Sequence, residues 1–153
     1  MNDKLDLVLE RVVDVSPELI FKAWTDAKGI KNWFCPSPWS VCECRIDLRP
    51  GGEFFTKMKS PDGEEFPNSG CYLEIVPNRK IVWTDCLDSD FRPRENGFFT
   101  AKLELTPEGS GTRYRATALH KDEQTRQKHA EMGFETGWGI VLDQMLAYIK
   151  SNY

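Results

Sequence analysis

Residues 5–14, LDLVLERVVD, are rich in valine and leucine in imperfect alternation, which predicts a first strand. Ser16-Pro17-Glu18 then makes a helix start: serine caps, proline fits the first helical position, and glutamate suits the positive end of the dipole. Ile20, Ala23, Trp24 and Ala27 repeat at helical spacing and form one apolar face. A second short helix should carry Ile30, Trp33 and Phe34 and break at Pro36 and Pro38.

From Val41 the period changes to two. A strand over 41–48 sets Cys42, Cys44, Ile46 and Leu48 on one side. Pro50-Gly51-Gly52 turns the chain into a partner at 53–59, and Asp62-Gly63 marks the next turn. Further strands are predicted at 68–76, 80–86, 97–106 and 112–120, separated by VPNRK, DSDFRPREN and PEGSGT. Residues 123–150 predict one long helix of about 40 Å. Its apolar stripe is Phe134, Trp138, Val141, Met145 and Ile149, flanked by Leu142 and Leu146. The order is strand, two helices, six strands, long helix. Hairpin-length connections make the sheet antiparallel and the class α+β. Neither sheet nor helix can bury its apolar face alone, so the helix must lie on the sheet, and function is expected in the space between them.

Composition narrows this picture. At 153 residues, with 40% hydrophobic and 29% charged residues, the chain is expected to be one domain over residues 1–153 with a sizeable core. Net charge is −4 and no basic stripe appears, which argues against a nucleic-acid partner. No apolar run approaches the roughly 18 residues that span a membrane, and the N-terminus lacks a signal-peptide pattern. A soluble cytoplasmic protein with no membrane partner is the expectation. Five cysteines at 35, 42, 44, 71 and 86 are expected as reduced thiols. Cys42-x-Cys44, with Cys35, His120 and His129, invites a metal reading. Structural zinc pairs usually sit in turns as C-x₂₋₄-C, so small residues facing the core are preferred and no metal or cofactor is assigned.

Alternation proposes which side chains face the helix. Tyr114, Ala116, Ala118 and His120 share a face opposite Arg113, Arg115 and Thr117, and arginines prefer water. The same logic turns Phe99, Ala101, Leu103 and Leu105 inward, against Lys102 and Glu104. Phe54, Thr56 and Met58 are set inward against Lys57 and Lys59. Ile81, Trp83 and Asp85 share a face whose direction the sequence leaves open. Cys71, Leu73 and Ile75 are the more apolar side of their strand and are expected buried, leaving Gly70, Tyr72 and Glu74 outside, with Glu74 exposed or paired with a base such as Arg79. His120 and His129 would act as acid and base if they met at one opening. His129, between Lys128 and Ala130, is instead expected to be solvated. Gly133, Gly137 and Gly139 each weaken a helix by up to about 1 kcal/mol. They imply either a close approach to the sheet or another subunit, or room for a ligand beneath a helix half that can lift. The candidate binding residues are therefore Phe54, Thr56, Met58, Trp83, Asp85, Phe99, Ala101, Tyr114, Ala116, His120, His129, Gly133, Phe134 and Trp138. They make a largely aromatic pocket with sparse polar groups, as small-molecule sites require.

Four motifs occur in order: NWFCPSPW, IDLRPGGEF, SGCYLEIVPNRKIVWT and GFETGW…LDQML. On these the chain, over nearly all of residues 5–150, resembles the activator of heat-shock protein 90 ATPase homologue-like (AHSA-type) family. That family lies within the START-like (SRPBCC) superfamily of Bet v-like and polyketide cyclase-like proteins. The resemblance implies a helix-grip fold, a curved antiparallel sheet gripping the long helix, with a cavity that often takes apolar small molecules. Three functions compete. Binding of a hydrophobic or aromatic small molecule ranks first. An enzyme of cyclase or hydrolase type follows, with His120, Asp85 and Tyr114 as proton-transfer candidates. A chaperone partner ranks last. No nucleophile elbow, phosphate-binding glycine loop or triad spacing is present, and no catalytic residue is assigned. Trp33 and Trp39, in a proline-broken loop, are expected to cover the pocket mouth or to form a homodimer contact.

Overall fold

A computed structural model describes residues 2–153. Strand β1 (Asp6–Val13) is followed by helices α1 (Pro17–Thr25) and α2 (Ala27–Ile30), then β2 (Ser40–Ile46), β3 (Glu53–Lys59), β4 (Glu65–Val76) and β5 (Lys80–Thr84). A two-stranded ribbon of β6 (Leu87–Asp88) and β7 (Arg92–Pro93) precedes β8 (Thr100–Glu108), β9 (Gly111–Leu119), α3 (Glu123–Glu131) and α4 (Phe134–Asn152). The seven main strands form one sheet in the order β1-β9-β8-β5-β4-β3-β2, with every pair antiparallel. This is the expected α+β helix-grip architecture.

Local chemistry explains the element ends. Ser16 caps α1 by accepting from the Leu19 N–H, and Asp26 and Asp122 cap α2 and α3 in the same way. The predicted long helix is two helices. Gly133 adopts φ +94°, a left-handed conformation that stops α3 and starts α4.

Two bulges also correct the expected facing. In β2 the register shifts between Val41 and Glu43, so Cys42 is left exposed while Val41 is buried and Cys44 is half-buried. Leu48 lies past the strand end and is exposed. In β4, with its shift between Tyr72 and Glu74, Gly70 and Tyr72 face inward rather than outward, while Cys71 is buried and Ile75 packs on the core as expected. One extra residue reverses every side chain beyond it, which strict alternation cannot register. Glu74 is exposed as expected, but its partner is Lys80 at 2.9 Å rather than Arg79.

The core joins Ile20, Trp24 and Trp33 to Phe54, Tyr72, Ile81, Leu103 and Leu105 of the sheet and to Leu142, Met145 and Ile149 of α4. From Gly139 onward α4 is fastened tightly. Arg11 reaches Asp143 at 3.0 Å and the Gly139 carbonyl at 3.1 Å. Gln144 accepts from the Ser37 N–H and donates to the Trp33 and Cys35 carbonyls. Lys150 pairs with Asp14 at 2.9 Å. The first turn and a half of α4 makes no such ties among the described residues.

Candidate functional site

Between the sheet and the loosely held start of α4 lies a cavity of about 440 Å³. Strand β3 sends Phe54, Thr56 and Met58 into it, and alternation puts Lys57 on the outer face, against Glu43 and Glu65. Strand β5 supplies Trp83, and Asp85 follows it, so this face is the inner one. Tyr114 from β9 and Leu9 from β1 close the far side. Above them sit His129 from α3, Gly133, and Phe134, Gly137, Trp138 and Val141 from α4. Met132, 66% exposed, and Asn68 mark the rim.

Three sequence candidates are not part of the wall. Ala101 and Ala116 are buried, but their methyl groups lie beside the longer Trp83 and Leu9 on neighbouring strands, which reach the cavity instead. His120 stands behind His129. The wall also holds Trp24, Phe34, Pro36, Ser69, Gly70 and Phe98, which facing arguments on the strands did not select. Trp24 and Phe34 come from the helical segment, where their apolar spacing signals core as readily as cavity. Phe98 adjoins the inward Phe99, and strict alternation would turn it outward, yet both residues line the cavity. The Asp85 Oδ1 accepts from the backbone N–H of Phe98 at 2.7 Å and of Phe99 at 3.1 Å. That clamp holds both residues outside β8, where alternation does not apply.

The aromatic side chains of the wall make two clusters. Trp24 packs against Trp33, Phe34 and Trp83, and Phe54 stacks on Tyr72 at 5.2 Å. Near α4, Phe99 contacts Trp138 at 5.8 Å, and Phe134 contacts Trp138 at 4.4 Å. The few polar groups are tuned by burial, which raises the Tyr114 phenol well above its ordinary range and keeps it a neutral hydroxyl. The Trp24 Nε1–H is fully enclosed, on the side of Tyr114.

His129 is buried, at 7% exposure, where solvation was expected. Its ring sits among Phe98, Phe99 and Phe134 at 4.9 to 5.3 Å, and its Nδ1 lies 2.8 Å from His120 Nε2. Burial, with a smaller contribution from His120, pushes its pKa down to about 4. His120 Nδ1 in turn lies 2.7 Å from the Leu5 carbonyl oxygen. The two histidines do meet, as a relay running inward from the backbone of residue 5.

The α4 glycines do not mark a close approach. A Cβ at Gly133, Gly137 or Gly139 would meet nothing within 4 Å. Space, not contact, surrounds them, and at Gly137 that space is the cavity. The two loop tryptophans part company: Trp33 is wholly buried, while Trp39, 41% exposed, packs on the equally exposed Phe66 at 5.5 Å away from the cavity wall. All five cysteines are free. No group of three or more potential metal ligands occurs among the described residues, and no helix among them is long and apolar enough to cross a membrane.

The chain is similar to a protein from Nitrosomonas europaea of known structure, with 44% identity over 99% of this chain and 97% of that one, at a TM-score of 0.96. A protein from Rhodobacter sphaeroides, 16% identical, shares the fold at a TM-score of 0.86 over 100% of this chain and 97% of the other. An AHSA1-like protein from Aeromonas hydrophila, 21% identical, does so at 0.72 over 96% and 93%. No curated protein matches the chain. The sequence pattern of the "Activator of Hsp90 ATPase homolog 1-like protein" family matches residues 14–150. The chain belongs to this AHSA-type family, within the START-like superfamily.

Proposed function

We propose that the protein binds a hydrophobic or aromatic small molecule in the cavity between the sheet and α4. The observation that carries this reading is the contrast along α4. Its second half is packed and tied down, whereas its first half stands over about 440 Å³ of aromatic-walled space. That volume lies within the range of small-molecule sites, which pair apolar walls with a few fixed polar groups. Asp85, Tyr114 and His129 are those groups here. The binding residues are Phe54, Thr56, Met58, Trp83, Phe99, Gly133, Phe134 and Trp138 with these three, and His120 acts through His129. Five unpaired cysteines support a reducing, cytoplasmic setting.

Native mass spectrometry of the freshly purified protein, with extraction of whatever co-purifies, tests this directly. A stoichiometric aromatic or acyl adduct is expected. A protein that stays at its apo mass and takes up no aromatic compound at millimolar concentration refutes the reading. The family's description supports a second reading, stimulation of a heat-shock protein ATPase. An assay of Hsp90-type ATPase turnover with and without the protein separates the two.

A further inference from the structure

The relay from Leu5 to His129 fixes the chemistry of one point on the cavity wall. A carbonyl oxygen only accepts, so the 2.7 Å contact with Leu5 requires a proton on His120 Nδ1. Neutral His120 then has its lone pair on Nε2. The 2.8 Å contact between that nitrogen and His129 Nδ1 needs a proton, and His129 must supply it. Neutral His129 with its proton on Nδ1 carries a bare lone pair on Nε2. Burial among aromatic rings favours that neutral form.

His129 Nε2 has no hydrogen-bond partner among the described residues, and it is not sealed from access. It is not among the fully enclosed, unpartnered polar side-chain atoms of the described residues. His129 itself lines the cavity, with Phe98, Phe99, Phe134 and Trp138 around its ring. The site thus presents a hydrogen-bond acceptor whose direction is set by a backbone carbonyl two links away. Carboxylates and ketones bring only lone pairs to that point and are disfavoured there. An ammonium would lose its hydration among aromatic walls, and Asp85, the wall's carboxylate, already gives Oδ1 to two backbone N–H groups.

On the small-molecule reading above, we propose that the ligand is an aromatic compound bearing a neutral hydroxyl, which donates its proton to His129 Nε2. The flat ring lies against the aromatic wall and the hydroxyl in its plane meets the imidazole.

The test compares 2-naphthol with 2-methylnaphthalene, the same ring with a methyl in place of the donor. Affinities come from ¹H–¹⁵N NMR titration of the protein and of its His129→Phe variant. The Kd of 2-methylnaphthalene divided by that of 2-naphthol should fall about tenfold in the variant, the ~1.4 kcal/mol of one hydrogen bond. Taking the ratio cancels the difference in hydrophobicity between probes. A second measurement needs no variant: imidazole ¹⁵N spectra of the unaltered protein should place the proton on His129 Nδ1. They should also show the Nε2 signal moving with 2-naphthol but not with 2-methylnaphthalene. Equal binding of both probes with an unmoved Nε2 signal, or a proton found on His129 Nε2, overturns the hydroxyl assignment and leaves the cavity reading standing. If neither probe binds, the cavity reading falls and the assignment with it.

Discussion

His129 should make the fold sensitive to mild acid in a defined window. Its folded pKa is about 4, against an ordinary value of 6.5. The unfolded chain therefore binds the proton more readily, and stability rises with pH between those values. The contribution is fully present above about pH 6.5 and is lost as pH falls toward 4. Each tenfold difference in proton affinity is worth about 1.4 kcal/mol, so the whole window is worth about 3 kcal/mol and the part from about pH 8 to about pH 5 roughly 2 kcal/mol. Protonation at Nε2 would leave the bond from His129 Nδ1–H to His120 intact, so the cost is that of a buried charge. The carboxylates held low by partners, Asp14 by Lys150 and Asp122 by Thr125, titrate below their ordinary 3.8 and leave this window clear. Urea unfolding followed by circular dichroism at both pH values supplies the measurement. With an m-value of about 2 kcal/mol/M, the midpoint should drop by about 1 M in the unaltered protein and by much less in His129→Phe. The same drop in both proteins, or an NMR titration of His129 with its midpoint near 6.5, would refute the argument.

Gly133→Ala should lower stability by about 1–2 kcal/mol through left-handed backbone strain alone, since its Cβ would meet no neighbour; thermal unfolding reads this as a Tm several degrees lower. Gly137→Ala should do the reverse, raising stability by up to about 1 kcal/mol, because it removes a helical glycine over open space. Gly137→Leu should keep the fold but abolish probe binding by filling the cavity, as NMR titration with 2-methylnaphthalene would report. Gln144→Ala breaks three hydrogen bonds between α4 and the loop after α2. It should cost about 1–3 kcal/mol in a denaturation curve.

What the sequence revealed and what it hid divide along physical lines. Strands β3 and β9 have no bulge, so alternation alone placed Phe54, Thr56, Met58 and Tyr114 on the inner face, where they lie. Bulges at Cys42 and Leu73 follow no periodic signal: Cys44, Ile46 and Ile75 face the core as alternation expected, but Cys42 itself, and Gly70 and Tyr72 before the second bulge, face the other way. The left-handed break at Gly133 was hidden because glycine fits a helix, a helix end or a thin spot in a helix equally well. Phe98 joined the wall through a clamp between Asp85 and two backbone N–H groups, a contact across 13 residues that local pattern does not encode. His129 shows the same limit. Between Lys128 and Ala130 it reads as a surface residue, and only the fold brings it 2.8 Å from His120.

The most direct test of the central claim is a backbone amide map of where an aromatic probe binds. On titration with 2-methylnaphthalene, the account predicts saturable shifts centred on Phe98, Phe99, Gly133, Gly137 and Trp138, around the cavity. Shifts confined to the exposed Trp39–Phe66 pair, or none at probe saturation, would contradict it.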